Sequence, residues 1–279
     1  MLRKLMKHEF RATLRLMIPL FLVTLALAVG ARIMTGLTFD TVGGLGWDMP
    51  TYITGLISMG AVMALVVVPV MTVVLMIIRF RSNLMADEGY VMFTLPVSNH
   101  QLVWSKLLVS LVWLVGAFVV DILSMIIMSM EKGVLRAFAD FFEALGDAFR
   151  DYPGDATMLT VEVLICIIVA AFVFCLRFYA PLAIGHSFAR HKMLLSVVFY
   201  FVISVATEMV VGVFLIFGLD PTGFWFSTFS GRIKTMISEM SATQILHTGL
   251  WFYIIVMAVY GVILYCITLR MLNKRLNLE

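Results

Sequence analysis

Three carboxylates lie within otherwise apolar runs of the sequence and are the first candidates for chemistry: Asp121, Glu162 and Glu208. An ionised side chain deep in a bilayer costs a few kcal/mol unless it is paired or hydrated, so such acids commonly mark ion or substrate pathways. At about 1.5 Å of rise per helical residue, all three fall in the outer half of the membrane. We interpret them as an acidic lining of a translocation path for a cationic or amphipathic substrate.

A structural explanation of the same three acids stays open. Each can hydrogen-bond a neighbouring helix, and Glu162 is close enough to the outer interface to be hydrated. We predict no basic partner for them inside the membrane-spanning segments, which leaves their pairing unexplained.

A second set of polar residues interrupts the apolar sequence at 81–102, between two hydrophobic runs. Asp87, Glu88 and Gly89 break the preceding helix, and Pro96 lies where a new helix starts, because proline is tolerated only at a helix beginning. Ser98 is the predicted N-cap of that helix. The apolar residues within the stretch predict a semi-buried element that a partner can bind.

No motif for enzyme chemistry accompanies these residues. The sequence has no phosphate-binding loop, zinc-protease motif or nucleophile elbow. Its five histidines lie at predicted membrane ends without metal-ligand spacing, and its three cysteines lie in apolar runs without paired partners. We therefore expect a chain that is not an enzyme by itself and that holds no metal or cofactor.

The composition predicts a single polytopic membrane domain over residues 1–279. Hydrophobic residues make up 62% and charged residues 13%, whereas a soluble domain carries about a quarter charged residues. About 20 apolar residues are needed to cross the hydrocarbon. The sequence thus predicts an all-α fold with six transmembrane helices, at about 17–36, 55–80, 103–129, 158–180, 193–218 and 248–270.

Three further segments have helical amphipathic periodicity. Residues 1–16 place basic side chains opposite apolar ones, which is typical of an interfacial helix on an anionic leaflet. The segment continues directly into a span, so we expect no nucleic acid partner. Residues 133–151 and 226–240 predict two amphipathic helices on the outer surface, and ordinary helices that cover the bundle are the alternative.

The distribution of charge predicts the orientation. With the N-terminus in the cytoplasm, fourteen of the 20 basic residues fall on the inner side. Basic residues are concentrated on the cytoplasmic side of membrane proteins. Both termini, residues 81–102 and the short turn at 185–192 are therefore predicted to be cytoplasmic.

Two inner segments resemble a known family. The first holds Ser105 and Lys106 after the residues Asp87, Glu88, Gly89, Tyr90, Thr94, Leu95, Pro96 and Ser98, and the second holds Gly185, His186, His191 and Lys192. Together they resemble the inner loops of ABC exporter permeases of the ABC-2 type, closest to those beside antibiotic- and bacteriocin-efflux ATPases. Val91 is a mild departure, because many relatives have leucine or isoleucine there.

The resemblance implies a membrane subunit that lacks its own ATP site. Its loop at 81–102 would be a coupling element that docks on a separate ATPase subunit, where ATP and magnesium bind. Two ATPase chains would join two permease chains, as a homodimer or with a sister permease. The expected location is the bacterial cytoplasmic membrane, and the expected activity is export of antimicrobial peptides or other amphipathic compounds.

Two other functions stay open on the sequence alone. An ion-coupled secondary carrier could use Glu208 or Asp121 as its proton or sodium site, although no inverted repeat is evident. A membrane adaptor or sensor without transport could bind a ligand through its outer helices.

Overall fold

A computed structural model describes residues 2–42, 49–85, 89, 94, 96–129, 132–151, 153–188, 190–219 and 242–274. This part of the chain forms seven long helices. They are α1 (Leu2–Val42), α2 (Met49–Met85), α3 (Asn99–Met128), α4 (Lys132–Asp151), α5 (Pro153–Gly185), α6 (Lys192–Leu219) and α7 (Ala242–Lys274).

Six of the helices are long and apolar enough to cross a bilayer, namely all except α4. Many of their large apolar side chains are exposed, including Leu56 at 71% and Phe118 at 66%. Soluble proteins rarely expose so much contiguous apolar surface, whereas lipid covers it in a membrane. The all-α fold with six spanning helices is thus confirmed, and the chain is a multi-pass membrane protein.

The first helix differs from the sequence-based division into an interfacial segment and a span. Residues 2–42 form one uninterrupted helix, about 60 Å long at 1.5 Å per residue, or twice the hydrocarbon thickness. Apolar side chains in its N-terminal part pack against protein. Met6, Phe10 and Leu14 pack against a buried cluster that includes Val109 and Trp113 of α3. The interfacial position of residues 1–16 stays a prediction.

The helices form two compact units. The first comprises Met1–Ser82 and Leu95–Asp147, and α1 packs along α3 within it. The Phe10 and Trp113 rings stack with centroids 4.8 Å apart, and Phe21 meets the same indole edge-on at 5.9 Å. Gly116 permits that approach, since a Cβ there would lie 3.3 Å from the Phe21 ring.

The second unit comprises Asn83–Thr94 and Ala148–Glu279. Within it α5 is central, because it packs against both α6 and α7. Tyr179 is fully buried, and the Phe178 and Tyr200 rings stack between α5 and α6. A Cβ on Gly261 would lie 3.0 Å from Val173, so α7 approaches α5 closely there. Small residues at such contacts are typical of membrane helix pairs.

Of the predicted outer helices, one coincides with an observed helix. Helix α4 covers the segment 133–151, and its Phe141, Phe142 and Leu145 side chains are exposed. The segment 226–240 lies outside the described residues, and the side of the membrane on which α4 lies stays a prediction.

Candidate functional site

The connection between α2 and α3 contains most of the segment that the family resemblance predicts to dock on an ATPase subunit. It contains a buried Gly89 and an exposed Thr94, both with helical backbone, followed by an exposed Pro96. Asp87, Glu88, Tyr90 and Leu95 lie outside the described residues. The described part of the connection is thus neither wholly buried nor wholly exposed.

Ser98 begins α3 as the sequence predicts. Its backbone is extended, with φ −74° and ψ 149°, and its side chain accepts a hydrogen bond from the Gln101 backbone N–H at 3.4 Å. Its carbonyl also accepts the Gln101 N–H at 2.9 Å. A serine in this position satisfies donors that the first helical turn leaves unpaired. Pro96 precedes the cap, where its missing N–H costs nothing.

The turn between α5 and α6 is unusually tight. A Cβ added to Gly185 would lie 2.7 Å from Ser196 Cα and closer still to the Ser196 backbone nitrogen. Contact with backbone atoms cannot be relieved by rotating a side chain. Gly185 is therefore a steric requirement for the packing of the end of α5 against the first turns of α6.

Two histidines shape the same turn. His186 is buried, and its Nδ1 donates to the Leu182 carbonyl at 2.9 Å with Ser196 Oγ 3.4 Å away. The Ser196 hydroxyl donates to the Lys192 carbonyl at 2.9 Å. His191 has a φ of 55°, the left-handed conformation that a reversal of chain direction between two helices requires. The described residues of the turn are thus held to the ends of α5 and α6 by hydrogen bonds.

Glu162 has a basic partner, so the prediction that none lies within the membrane was wrong for this residue. Its Oε2 is 2.7 Å from Nδ1 of His247, and the residue is 1% exposed. Its Oε1 has no hydrogen-bond partner among the described residues. His247 lies one position before the predicted last span and so was not predicted as a partner, whereas α7 begins five residues before His247.

The other two membrane acids have different surroundings. Glu208 is exposed on α6, one residue after Thr207, whose hydroxyl is 2.8 Å from the Tyr260 hydroxyl of α7. Asp121, in the first unit, is half-buried, and its Oδ1 has no partner in the described part of the chain. Within the second unit, Glu162 is buried and pairs with His247, whereas Glu208 is exposed. Their role as a common lining stays a prediction.

A buried polar cluster between α1 and α3 was not singled out from the sequence. Lys106 Nζ lies 2.5 Å from Glu9 Oε1, and both side chains are buried. The Trp113 indole donates to the Thr13 hydroxyl at 2.8 Å, which in turn donates to the Glu9 carbonyl at 3.0 Å. Glu9 and Thr13 are four residues apart on α1, so the spacing places them on one helical face. Their partners 97 and 100 positions away could not be inferred.

Among the described residues, no group of three or more histidine, cysteine or acidic side chains is arranged to hold a metal ion. No family model, curated protein or solved structure matches the chain. Its six long apolar helices identify it as a multi-pass membrane protein, and its second unit has a tight α5–α6 turn and a buried carboxylate paired with a partly exposed histidine.

Proposed function

We propose that this chain is the membrane subunit of an ATP-driven exporter of the ABC-2 type. The observation that carries the proposal is the connection between α2 and α3, which joins two spanning helices and bears the residues of the family resemblance. Its described residues combine a buried Gly89 with an exposed Thr94 and Pro96. A connection that combines a buried residue with exposed ones suits docking on a partner.

The α5–α6 turn supports the same proposal. Gly185 and Ser196 are in close contact, and His186 is buried between the two helix ends. A force applied to such a turn would move α5 and α6 together, because Gly185 at the end of α5 packs directly against Ser196 of α6. Rigid-body movement of packed helices is a common way to transmit a conformational change.

The proposal includes the assembly that the resemblance implies. Two ATPase chains would bind ATP and magnesium and would dock on the coupling elements of two permease chains, in a homodimer or a heterodimer. The assembly would lie in a bacterial cytoplasmic membrane with both termini of this chain in the cytoplasm. Its substrates would be antimicrobial peptides or other amphipathic compounds.

The test compares two double variants that make the same kinds of change at different places. Glu88→Arg with Tyr90→Ala alters the proposed docking stretch, and Asp140→Arg with Phe141→Ala alters an exposed part of α4. Each is co-expressed with a Walker-motif ATPase encoded beside its gene. The first should lose co-purification of the ATPase while it stays in the membrane, and the second should retain it.

Equal ATPase yields from both variants would contradict the coupling assignment. ATP hydrolysis by the isolated chain, free of contaminating ATPases, would contradict the wider proposal. Loss of the chain itself from the membrane in the first variant would instead indicate that the stretch serves insertion.

The Glu162–His247 pair favours a second candidate function, an ion-coupled carrier. Carboxylate and imidazole side chains inside membrane helices can bind and release protons, and here they meet at 2.7 Å. Uptake or efflux that an uncoupler abolishes but ATP depletion leaves unchanged would favour this carrier over the exporter. Glu162→Gln would then abolish transport without loss of the protein.

A further inference from the structure

An open groove of about 500 Å³ lies between the N-terminal part of α1 and the C-terminal part of α2. Three of its six lining residues are arginines, one is a histidine and none is acidic. The lining residues are His8, Arg11, Ala12, Arg15, Leu16 and Arg79.

Two features of the sequence create this concentration of positive charge. Arg11 and Arg15 are four residues apart, so they point from the same face of α1 one turn from each other. Arg79 joins them from α2, where its Nη2 donates to the Ala12 carbonyl at 3.1 Å. That hydrogen bond fixes the α2 guanidinium beside the α1 pair.

Among the described residues, no carboxylate neutralises the positive charge of the groove. Within the part of the chain that the structure describes, His8, Arg11 and Arg15 form no ion pair. The nearby carboxylate of Glu9 accepts from the buried Lys106 and does not line the groove. Like charges one turn apart repel each other, so an anion that binds between them relieves that repulsion.

The chemistry and position of the groove select one class of anion. Guanidinium groups bind phosphate oxygens through paired, charge-assisted hydrogen bonds. Arg15 stands just before the apolar run of α1, and Arg79 stands at the end of the apolar run of α2, so the groove lies at one boundary of the hydrocarbon. Phospholipid headgroups occupy that depth.

Apolar surface continues from the groove along both helices. Leu16 lines the groove and is 53% exposed, and Ile78, next to Arg79, is 50% exposed. Acyl chains can cover these side chains while the phosphate contacts the arginines. We propose that the groove is a binding site for an anionic phospholipid, which adds a lipid ligand to this protein whatever it transports.

The test measures the binding of two lipids that share acyl chains and differ in headgroup charge. The full chain in neutral detergent and 0.15 M salt is titrated with dioleoyl phosphatidylglycerol or dioleoyl phosphatidylcholine, and bound lipid is counted by native mass spectrometry. We expect saturable, preferential binding of the glycerol lipid. Arg11→Gln with Arg15→Gln should weaken that binding roughly 30-fold, as two interfacial charges predict.

The matched control removes the same charge from the same helix outside the groove. Arg3 and Lys7 are exposed and do not line the groove, so Arg3→Gln with Lys7→Gln should weaken binding by no more than about threefold. All four of these basic residues are exposed. Equal losses in the two double variants would show a diffuse attraction to the basic helix and would overturn the site.

Inorganic phosphate distinguishes a lipid from a soluble phosphate compound. Without acyl chains, phosphate alone at 10 mM should leave the binding of phosphatidylglycerol unchanged. Displacement of the lipid by phosphate at that concentration, and loss of this displacement in the Arg11 and Arg15 variant, would assign the groove to a soluble ligand. That result would overturn the lipid proposal.

Discussion

At the scale of single residues, the pair of buried Glu162 and partly exposed His247 joins α5 to α7. Glu162 is 1% exposed and its second oxygen has no partner among the described residues, so His247 supplies the compensation that burial requires. Loss of the histidine leaves an unpaired buried carboxylate. Replacement of the carboxylate by a neutral amide as well removes the buried charge that the histidine compensates.

This asymmetry gives the first prediction. His247→Ala should lower the free energy of unfolding by about 1–3 kcal/mol, because a buried acceptor loses its partner. The double variant His247→Ala with Glu162→Gln should be more stable than His247→Ala alone. Thermal unfolding of the purified chain in detergent measures these two variants and Glu162→Gln alone, and a double variant with the sum of the two single losses would contradict the pairing.

The sequence predicted one half of this pair and not the other. Glu162 stands out because an acid within an apolar run is rare, and that signal is local. His247 carries no comparable signal, since a histidine near a membrane end is unremarkable. The contact joins positions 85 residues apart, and only the packing of α7 along α5 brings them together.

At the scale of structural elements, the second prediction concerns the stability of the α5–α6 turn. Gly185→Ala should destabilise the protein by about 1–3 kcal/mol, because the new methyl group would overlap the Ser196 backbone. In a membrane preparation the same variant should lower the yield of folded protein. Size-exclusion elution and thermal unfolding report both effects.

Gly60→Ala is the control for that substitution. Gly60 also lies inside a spanning helix, but a Cβ there would have no atom within 4 Å. Alanine has the higher helix propensity, so this variant should be as stable as the parent or slightly more so. Equal destabilisation of the two variants would show that steric contact with Ser196 is not the cause.

The sequence predicted that the six spanning helices exist, but it did not predict where each helix begins or which helices pack together. Hydrophobic length located all six spans, because about 20 apolar residues are a strong local signal. The polar ends of the helices carry no such signal, so α1 begins 15 residues before the predicted span and α7 begins six residues before it. The Ser98 cap was predictable since it depends only on residues within one turn.

At the scale of the whole molecule, basic residues set the predicted direction of the chain across the membrane. The connection that contains Thr94, the turn that contains Arg190 and both termini are predicted on the inner side, and α4 on the outer side. The α2–α3 connection, the α5–α6 turn and α4 each have an exposed residue that can be labelled. Exposed positions at Thr94, Arg190 and Asp140 are therefore suitable reporters.

The third prediction assigns each reporter to a side. Cys166, Cys175 and Cys266 are replaced by alanine, because all three are free thiols, and single cysteines are introduced at the reporter positions. A membrane-impermeant maleimide added to intact cells should label Asp140→Cys and should spare Thr94→Cys and Arg190→Cys. The same reagent added to opened membranes should label all three, which controls for accessibility. Labelling of Thr94→Cys in intact cells would place the α2–α3 connection outside and would leave no cytoplasmic ATPase able to reach it.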